Sequence, residues 1–550
     1  MLNRDHTGFQ SASAKMAYPL VLTPARSLAV AVLATTALVV APAASPSPAT
    51  GSTQERATVV QLTAAAACRE SAALADAGAE PVDARLRLWR LAPQVAGNVV
   101  PALRARDALV FAQRERTYRA AATTDTPDPL QGEQWWLSQI GIDGLTPPGP
   151  GVPITIVDSG LDVSHPEFAG RPDTETLNAQ EPAGVGGEHG TSVASVIGAP
   201  QNGVGVVGIY PRAVLRSWDA AKGDGTQLES TEIAGGILAA ARAGKSVINL
   251  SLGSDASDLP IQLAVDEAVA SGSLVVAASG NDGDRGSPLG YPAAYPHVLT
   301  VAATDKTGNV APFSSRSRYV DLAAPGTDIV VASALGKSWR PASGTSFSSP
   351  MVAAAAAWVW TVRPTLTAGQ VAEIMRRSAR DLPPTGRDLA SGFGMLNVAA
   401  ALALPTPVAD PYEPNDDIDQ VSPSGDRYVA RVQPLTTTSR RTTRVVGRVD
   451  AYEDPRDVYR VWLPAGHRFA STLTTSSDGD LALYSSSAPS VVGRFATTGR
   501  LAVASTRGTN ERLVYANGKR GRWAYIVVRL PGGTLEATYQ LHVSSALTKR

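Results

Sequence analysis

The chain has 550 residues, with 49 basic and 49 acidic side chains, six histidines and a single cysteine. Zero formal net charge argues against a nucleic-acid binder, whose domain carries a basic patch or stripe, and one cysteine excludes an intrachain disulfide framework and a Cys-based zinc cluster. An apolar content of 44% with 18% charged residues suits a large packed core, and the length suggests about three or four units of ~100–200 residues.

At the N-terminus, Lys15 and Arg26 precede an apolar run over 28–40 that ends in Ala41-Pro42-Ala43-Ala44. A short apolar core after positive charge, closed by small residues, is the secretory pattern. It is shorter than the ~20 residues a membrane span requires. Residues 1–44 are therefore read as a signal peptide, with Met16 an alternative start, on a secreted, extracellular protein without a stable membrane anchor. Residues 45–58 are rich in Ser, Pro, Ala and Thr and read as disordered.

Pattern returns at Ala64. Residues 85–91 and 108–112 read as short strands, and 99–106 as a helix with Pro101 in its first turn. This small α+β unit holds Cys68 and ends in a linker at 120–129.

The middle of the chain alternates apolar β-type runs (154–158, 214–220, 247–252, 274–278, 298–303, 320–323) with helical stretches at 189–198, 228–243, 259–271, 346–362 and 367–379. Continuous apolar strands separated by helices predict an α/β fold, a doubly wound parallel sheet covered on both faces. Pro405, Pro407, Pro411 and Pro414 mark a boundary. Beyond it, short alternating runs at 444–449, 457–463, 469–474, 480–484, 512–516, 523–530 and 538–543 predict an all-β sandwich or barrel.

Histidine is scarce enough to test residue by residue. His6 precedes the export signal, His467 and His542 lie in the β module, His165 sits in a loop and His297 just before a strand. His189, between glycines in Gly187-Glu188-His189-Gly190-Thr191, stands at the mouth of a helix whose Gly190, Ala194 and Gly198 recur at i, i+4 and give it a smooth face for close docking. A lone histidine is usually structural; here the neighbours favour a positioned group.

Asp158 ends a strand and is followed by Ser159-Gly160, at the carboxyl edge where sites of open α/β sheets collect. By itself an aspartate after a strand is more often a cap or turn residue. Asp-Ser-Gly also belongs to aspartic proteases, but these need a second such motif for the partner carboxylate, and the sequence has none.

Ser346 lies in Gly344-Thr345-Ser346-Phe347-Ser348-Ser349-Pro350. Pro350 is expected in a first helical turn, which puts the helix start near Ser346 and its N–H at the positive end of the helix dipole. An N-capping serine is the bland alternative. Asn281 follows the strand 274–278 in Ser279-Gly280-Asn281-Asp282-Gly283; it either donates to an oxyanion or simply turns the chain.

Asp158, His189 and Ser346, in that chain order and each in a small-residue motif, resemble the subtilisin-like serine proteases (subtilases). The resemblance extends to Ala278-Ser279-Gly280-Asn281 and the loop Asn202-Gly203-Val204-Gly205-Val206-Val207-Gly208-Ile209. Departures are mild: Ser195 stands where glycine is common, Ser279 where alanine is common, and Phe347-Ser348-Ser349 replaces the commoner Met-Ala-Ala; none removes a catalytic atom.

The resemblance implies catalysis by Asp158, His189 and Ser346, with Asn281 in the oxyanion hole. Ser251, Leu252 and Gly253 would pair with an extended substrate, and Ala278, Ser279 and Gly280 would line the primary pocket. It further implies polypeptide substrates, no nucleic-acid partner, a monomer, and a prosegment that assists folding and inhibits until self-cleavage between Arg119 and Pro129. Structural calcium is compatible with the family, but no stretch forms a clear oxygen-ligand loop, so no metal ligand is assigned.

Glu413-Pro414-Asn415-Asp416, Asp457-Val458-Tyr459 and Gly479-Asp480-Leu481 resemble the bacterial pre-peptidase C-terminal domain. The expected organisation is signal peptide 1–44, linker and propeptide 45–127, peptidase domain 128–404, Pro-rich linker 405–424 and β-sandwich 425–550. A catalytically silent binding protein on the same scaffold is the main alternative. An esterase is disfavoured because the serine motif is not Gly-x-Ser-x-Gly.

Overall fold

The structure, a computed structural model, describes residues 57–115, 127–179, 187–222 and 227–547. The signal peptide and nearly all of the segment read for self-cleavage lie outside the described residues. The chain forms two compact units, one up to Ala120 and one from Ala121.

In the first unit, β1 (Thr58–Leu62), α1 (Ala64–Asp76), β2 (Glu80–Asp83), β3 (Leu88–Leu91), α2 (Pro93–Ala105) and β4 (Leu109–Arg114) build an antiparallel sheet of order β2-β3-β1-β4. Val60, Leu62, Leu74, Leu91 and Leu103 fill its core. The strand expected over 85–91 is halved, because Arg87 takes a left-handed turn conformation (φ 57°). The expected short helix begins earlier, at Pro93, where a proline's missing N–H has no helical partner to lose; Pro101 therefore lies inside α2 rather than in its first turn. Strand β1 and helix α1 were not expected.

The second unit opens with α3 (Trp136–Gln139), followed by β5 (Ile154–Asp158), β6 (Thr174–Thr176), α4 (Glu188–Gly198), β7 (Leu215–Asp219), the two-residue strands β8 (Ala221–Lys222) and β9 (Gln227–Leu228), α5 (Ser230–Arg242), β10 (Val247–Leu250), α6 (Leu259–Ala270), β11 (Leu274–Ala278), β12 (Val298–Thr304), β13 (Leu322–Pro325), β14 (Ile329–Ser333), β15 (Ser338–Ala342), α7 (Thr345–Val362), α8 (Ala368–Arg377) and α9 (Val398–Ala403). Seven strands form a parallel sheet of order β13-β12-β11-β10-β5-β7-β6. Its central strands are buried along their whole length, as expected for strands covered on both faces.

One face packs on α4, α7 and α8 through Val193, Ile197, Met351, Val352 and Val371. The other packs on α5 and α6 through Ile237, Ala240, Ala264 and Val265. The winding reverses at β5, whose neighbours are β10 and β7, and such a switch point opens a crevice beyond the strand ends. The antiparallel pair β14/β15 was not expected, although Gly336, at φ 71°, turns the chain between its strands.

After α10 (Ile418–Val421), the strands β16 (Thr442–Asp450), β17 (Arg456–Leu463), β18 (His467–Thr475), β19 (Asp480–Ser485), β20 (Arg500–Ala504), β21 (Asn510–Ala516), β22 (Arg522–Arg529) and β23 (Glu536–Leu547) form two four-stranded antiparallel sheets, β16-β23-β18-β21 and β17-β22-β19-β20. Phe469, Leu473, Leu483, Ile526 and Leu541 lie between them. Ile418 and Val421 of α10 pack on Val458, Tyr484 and Tyr525 of the outer face. Ion pairs join this sandwich region to the α/β part: Arg427 to Asp266 at 2.8 Å, Arg448 to Glu373 at 3.2 Å and Arg377 to Glu536 at 2.7 Å.

Candidate active site

Asp158 is the last residue of β5 and 1% exposed. One carboxylate oxygen accepts the backbone N–H of Ser159 at 2.7 Å, and the carboxylate lies 2.8 and 3.0 Å from His189 Nδ1. Such a bond holds the ring in the tautomer that leaves Nε2 available. Burial works to lower the His189 pKa, but the charge and hydrogen bond of Asp158 outweigh it, and the net shift is upward from 6.5.

His189 can reach Asp158 because α4 begins so close to β5. A Cβ on Gly190 would sit 2.0 Å from Gly160 O, and Gly190 N–H donates to Ser159 Oγ at 3.1 Å. Gly160 itself has φ 87°, a conformation that side chains with a Cβ disfavour. Glu188, beside the histidine, accepts from Ser333 Oγ at 2.9 Å and from Leu335 N–H at 2.9 Å, and pairs with Arg340 at 3.0 Å. The start of α4 is thus tied to the β14/β15 hairpin, whose second strand leads into the Ser346 segment. Burial opposes ionisation of Glu188, but these bonds prevail and hold its pKa low.

Helix α7 starts at Thr345, with Gly344 as its cap (φ 154°). Ser346 is therefore inside the first turn and is not the capping residue. Pro350 lies beyond that turn, a departure from the expected placement with a local consequence. A residue there would donate its N–H to the carbonyl four positions back, and proline cannot, so Ser346 O loses its helical partner. Ser251 Oγ, just past β10, donates to Ser346 O at 2.9 Å instead. Asn249 Nδ2 donates to Ser251 Oγ at 3.0 Å, and Ser349 Oγ donates to Asn249 Oδ1 at 2.7 Å, closing a buried relay between β10 and α7. Ser346 Oγ itself lies 3.4 Å from Ser251 O, and the Phe347 ring is 6.1 Å from that of His189.

Asn281 Oδ1 accepts from both the N–H and the hydroxyl of Thr345, each at 2.9 Å. With the oxygen so engaged, the Nδ2 end is the available donor beside the first turn of α7. Ser346 N–H, in that first turn, has no intrahelical acceptor either. Two donors and a hydroxyl thus gather at the positive end of one helix, an arrangement that suits an anion.

Ser251 is buried, Leu252 half-buried and Gly253 exposed at the rim; Ala278 and Ser279 are buried and Gly280 half-buried at the end of β11. The two stretches end adjacent parallel strands, with Leu250 opposite Ala277, so they flank one crevice. His165 is fully buried, accepts Glu167 N–H on Nδ1 and contacts Ser338 O through Nε2, a structural histidine. Asn249 and Glu188 were missed as supporting residues. For Asn249 a signal existed: an amide inside the apolar run Val247-Ile248-Asn249-Leu250 needs a buried partner.

A family model described as "Subtilase family" matches residues 149–394. Subtilisin of Bacillus pumilus is 36% identical over 256 residues, covering 46% of this chain and 91% of the relative. Subtilisin E of Bacillus subtilis is 36% identical over the same length, and there the match spans 66% of the relative. The minor extracellular protease Epr of Bacillus subtilis is 35% identical over 283 residues, 50% of this chain and 42% of Epr. Among solved structures, sphericase matches with 29% identity and a TM-score of 0.42, over 49% of this chain and 99% of that one. With 91% of a subtilisin matched at 36% identity, and the family model spanning β5, α4, β11 and the start of α7, this chain belongs to the subtilase family.

Proposed function

We propose that the chain is a secreted serine endopeptidase that hydrolyses peptide bonds through an acyl-enzyme. Ser346 Oγ attacks the scissile carbonyl, and His189 Nε2 takes its proton and later delivers it to the leaving amine. Asp158 orients the ring and stabilises its cation. The oxyanion of the tetrahedral intermediate accepts from Asn281 Nδ2 and Ser346 N–H. The substrate chain adds as a strand against 251–253, with its side chain in the pocket formed by Ala278, Ser279 and Gly280.

The observation that carries this reading is the anchoring of Asn281 Oδ1 on Thr345, which turns the amide donor toward the nucleophile's helix while Asp158 holds His189 by Nδ1. A capping serine and a turn asparagine would need neither. The test is labelling by a fluorophosphonate together with peptide cleavage. The native chain should react at Ser346, and an intact, folded chain that neither reacts nor cleaves would favour the silent binding protein. Long-chain esters, hydrolysed in preference to peptides, would favour an esterase.

The unit formed by 57–115 is proposed as the propeptide, inhibiting until self-cleavage in the segment 119–129. Expression of Ser346→Ala in a protease-free host should leave the full-length precursor; removal of the prosegment there would refute self-processing. Secretion is proposed from the N-terminal pattern. No described helix is long and apolar enough to cross a membrane.

A further inference from the structure

The zero net charge of the chain is unevenly divided. Residues 425–550, the sandwich region, hold 19 basic and nine acidic side chains, and the rest of the sequence holds 30 basic and 40 acidic. A balanced total thus conceals a cationic module, and it is the local charge that selects a partner. Among the module's acids, Glu453, Asp454, Asp457 and Glu511 are buried, which shifts its exposed balance further toward positive.

Strand register shows where part of that charge collects. In the sheet β16-β23-β18-β21, Val445, Leu541, Phe469 and Leu513 point into the core, so the residues alternating with them point away from it. On that outer face Arg444 of β16 lies opposite His542 of β23, His542 opposite Thr472 of β18, and Thr472 opposite Arg512 of β21. The four form one row across the sheet, and strand spacing puts its two arginines about 14 Å apart. Arg468, four residues before Thr472, stands about 14 Å from that row along β18. Arg444, Arg468 and Arg512 are exposed, and among the described residues none has an acidic partner. The acids of this face lie at its other end and are taken: Asp450 pairs with Arg448 at 2.9 Å, and Glu536 with Arg377 at 2.7 Å. Between the arginines stand the hydroxyls and amide of Thr442, Thr472, Ser544 and Gln540, and the large exposed apolar side chain there is Val446.

We propose that this outer face of the sandwich binds an anionic polysaccharide and so holds the protein at glycan surfaces. Acidic groups of the polymer meet the three arginines, and its hydroxyls meet the Thr, Ser and Gln side chains between them. Charge complementarity alone also admits a nucleic acid or an anionic membrane, but the geometry favours the glycan. Duplex DNA carries one charge per ~1.7 Å, far denser than cations about 14 Å apart. Its major groove, about 12 Å wide, admits a two-stranded ribbon, whereas this face is four strands across. Single strands are held by stacking on aromatic rings, and the strands present none on this face. Membrane-surface sites sink Trp, Phe or Leu beside their cations; here there is one valine.

The full-length Ser346→Ala chain provides the test, because it measures binding without activity and without self-digestion. The anisotropy of a fluorescein-labelled oligogalacturonate should rise with added protein at about 50 mM salt. The affinity should fall about tenfold or more by about 200 mM, as each charge contact releases counterions. Neutral dextran should not displace the probe. Adding Arg444→Gln, Arg468→Gln and Arg512→Gln should weaken binding roughly ten- to 100-fold. These side chains are exposed and unpaired, so the unfolding temperature should not change. A matched variant, Arg212→Gln with Arg494→Gln and Arg500→Gln, removes the same charge from other exposed positions and should bind within about threefold of the parent.

Equal weakening in the two triple variants would overturn the site, since overall charge rather than this face would then carry the binding. So would a Ser346→Ala chain that leaves the probe unbound at about 50 mM salt, where charge contacts are strongest. Tighter binding to a DNA duplex, or to vesicles containing phosphatidylserine, than to the oligogalacturonate would overturn the glycan as partner.

Discussion

The carbonyl of Ser346 offers a sharp test of how the proposed nucleophile is held. Pro350 removes the N–H that would otherwise bond it, and the Ser251 hydroxyl replaces that donor at 2.9 Å. Ser251→Ala leaves every backbone atom of 251–253 in place, so substrate pairing should survive. The exchange strands a partly buried acceptor, which costs about 1–3 kcal/mol. Ser346 is only half-buried, and water can enter, so the lower half of that range applies. If the cost falls on the transition state, kcat drops about 5- to 30-fold, at a factor of ten per ~1.4 kcal/mol. The assay is hydrolysis of a chromogenic peptide amide by protein titrated for active sites. KM should stay within about twofold, since uniform binding is untouched, and Ser251→Thr, which keeps the hydroxyl, should retain most activity. A Ser251→Ala enzyme with native kcat would show that the relay from Ser349 through Asn249 does not position Ser346.

Three further outcomes follow from the site. Asn281→Ala should lower kcat by about 10²–10³-fold with little change in KM; Thr345→Val, which keeps the amide but loses one of its anchors, should lose less. Because His189 must be neutral to accept a proton and its pKa is raised above 6.5, kcat/KM should fall as pH drops through that raised value. Asp158→Asn should move this limb to lower pH and cut kcat on the order of 10⁴-fold, and a limb that does not move would assign it to another group. Gly190→Ala would drive a Cβ to 2.0 Å from Gly160 O, while Gly132→Ala meets nothing within 4 Å. Thermal unfolding should therefore show a loss of ~1–3 kcal/mol or more for the first and none for the second.

The parallel sheet was legible because its strands are continuous apolar runs and its helices are long. The expected strand at 154–158 and helix at 259–271 match β5 and α6 to within a residue. The short pieces β6, β15 and β20 were not legible, and neither was β14, although Ile329-Val330-Val331-Ala332 is itself an apolar run. β6 pairs with β7 about 40 residues on, and local pattern carries no record of that pairing; β14 and β15 pair with each other across a short turn. In the first unit, β1 was hidden at the edge of a low-complexity stretch. The α2 start shows a different failure: Pro101 looked like a helix opening, while Pro93 occupied that position.

By itself the sequence determined the chemistry on offer: one aspartate, one histidine, one serine and one asparagine, each set among glycines and small residues that let backbones approach. Local motifs suffice for that, because a glycine requirement or a helix start is written in neighbouring residues. Only the tertiary structure decided which groups support them. Ser251 meets Ser346 O, Glu188 meets the 333–335 turn, and Asn281 meets Thr345. It also brought together Asp410, Glu413, Asp454 and Asp457, which lie on two separate stretches of chain. Hydrogen-bond and charge partners lie within a few ångströms in space but far apart along the chain, so the fold must close before they exist.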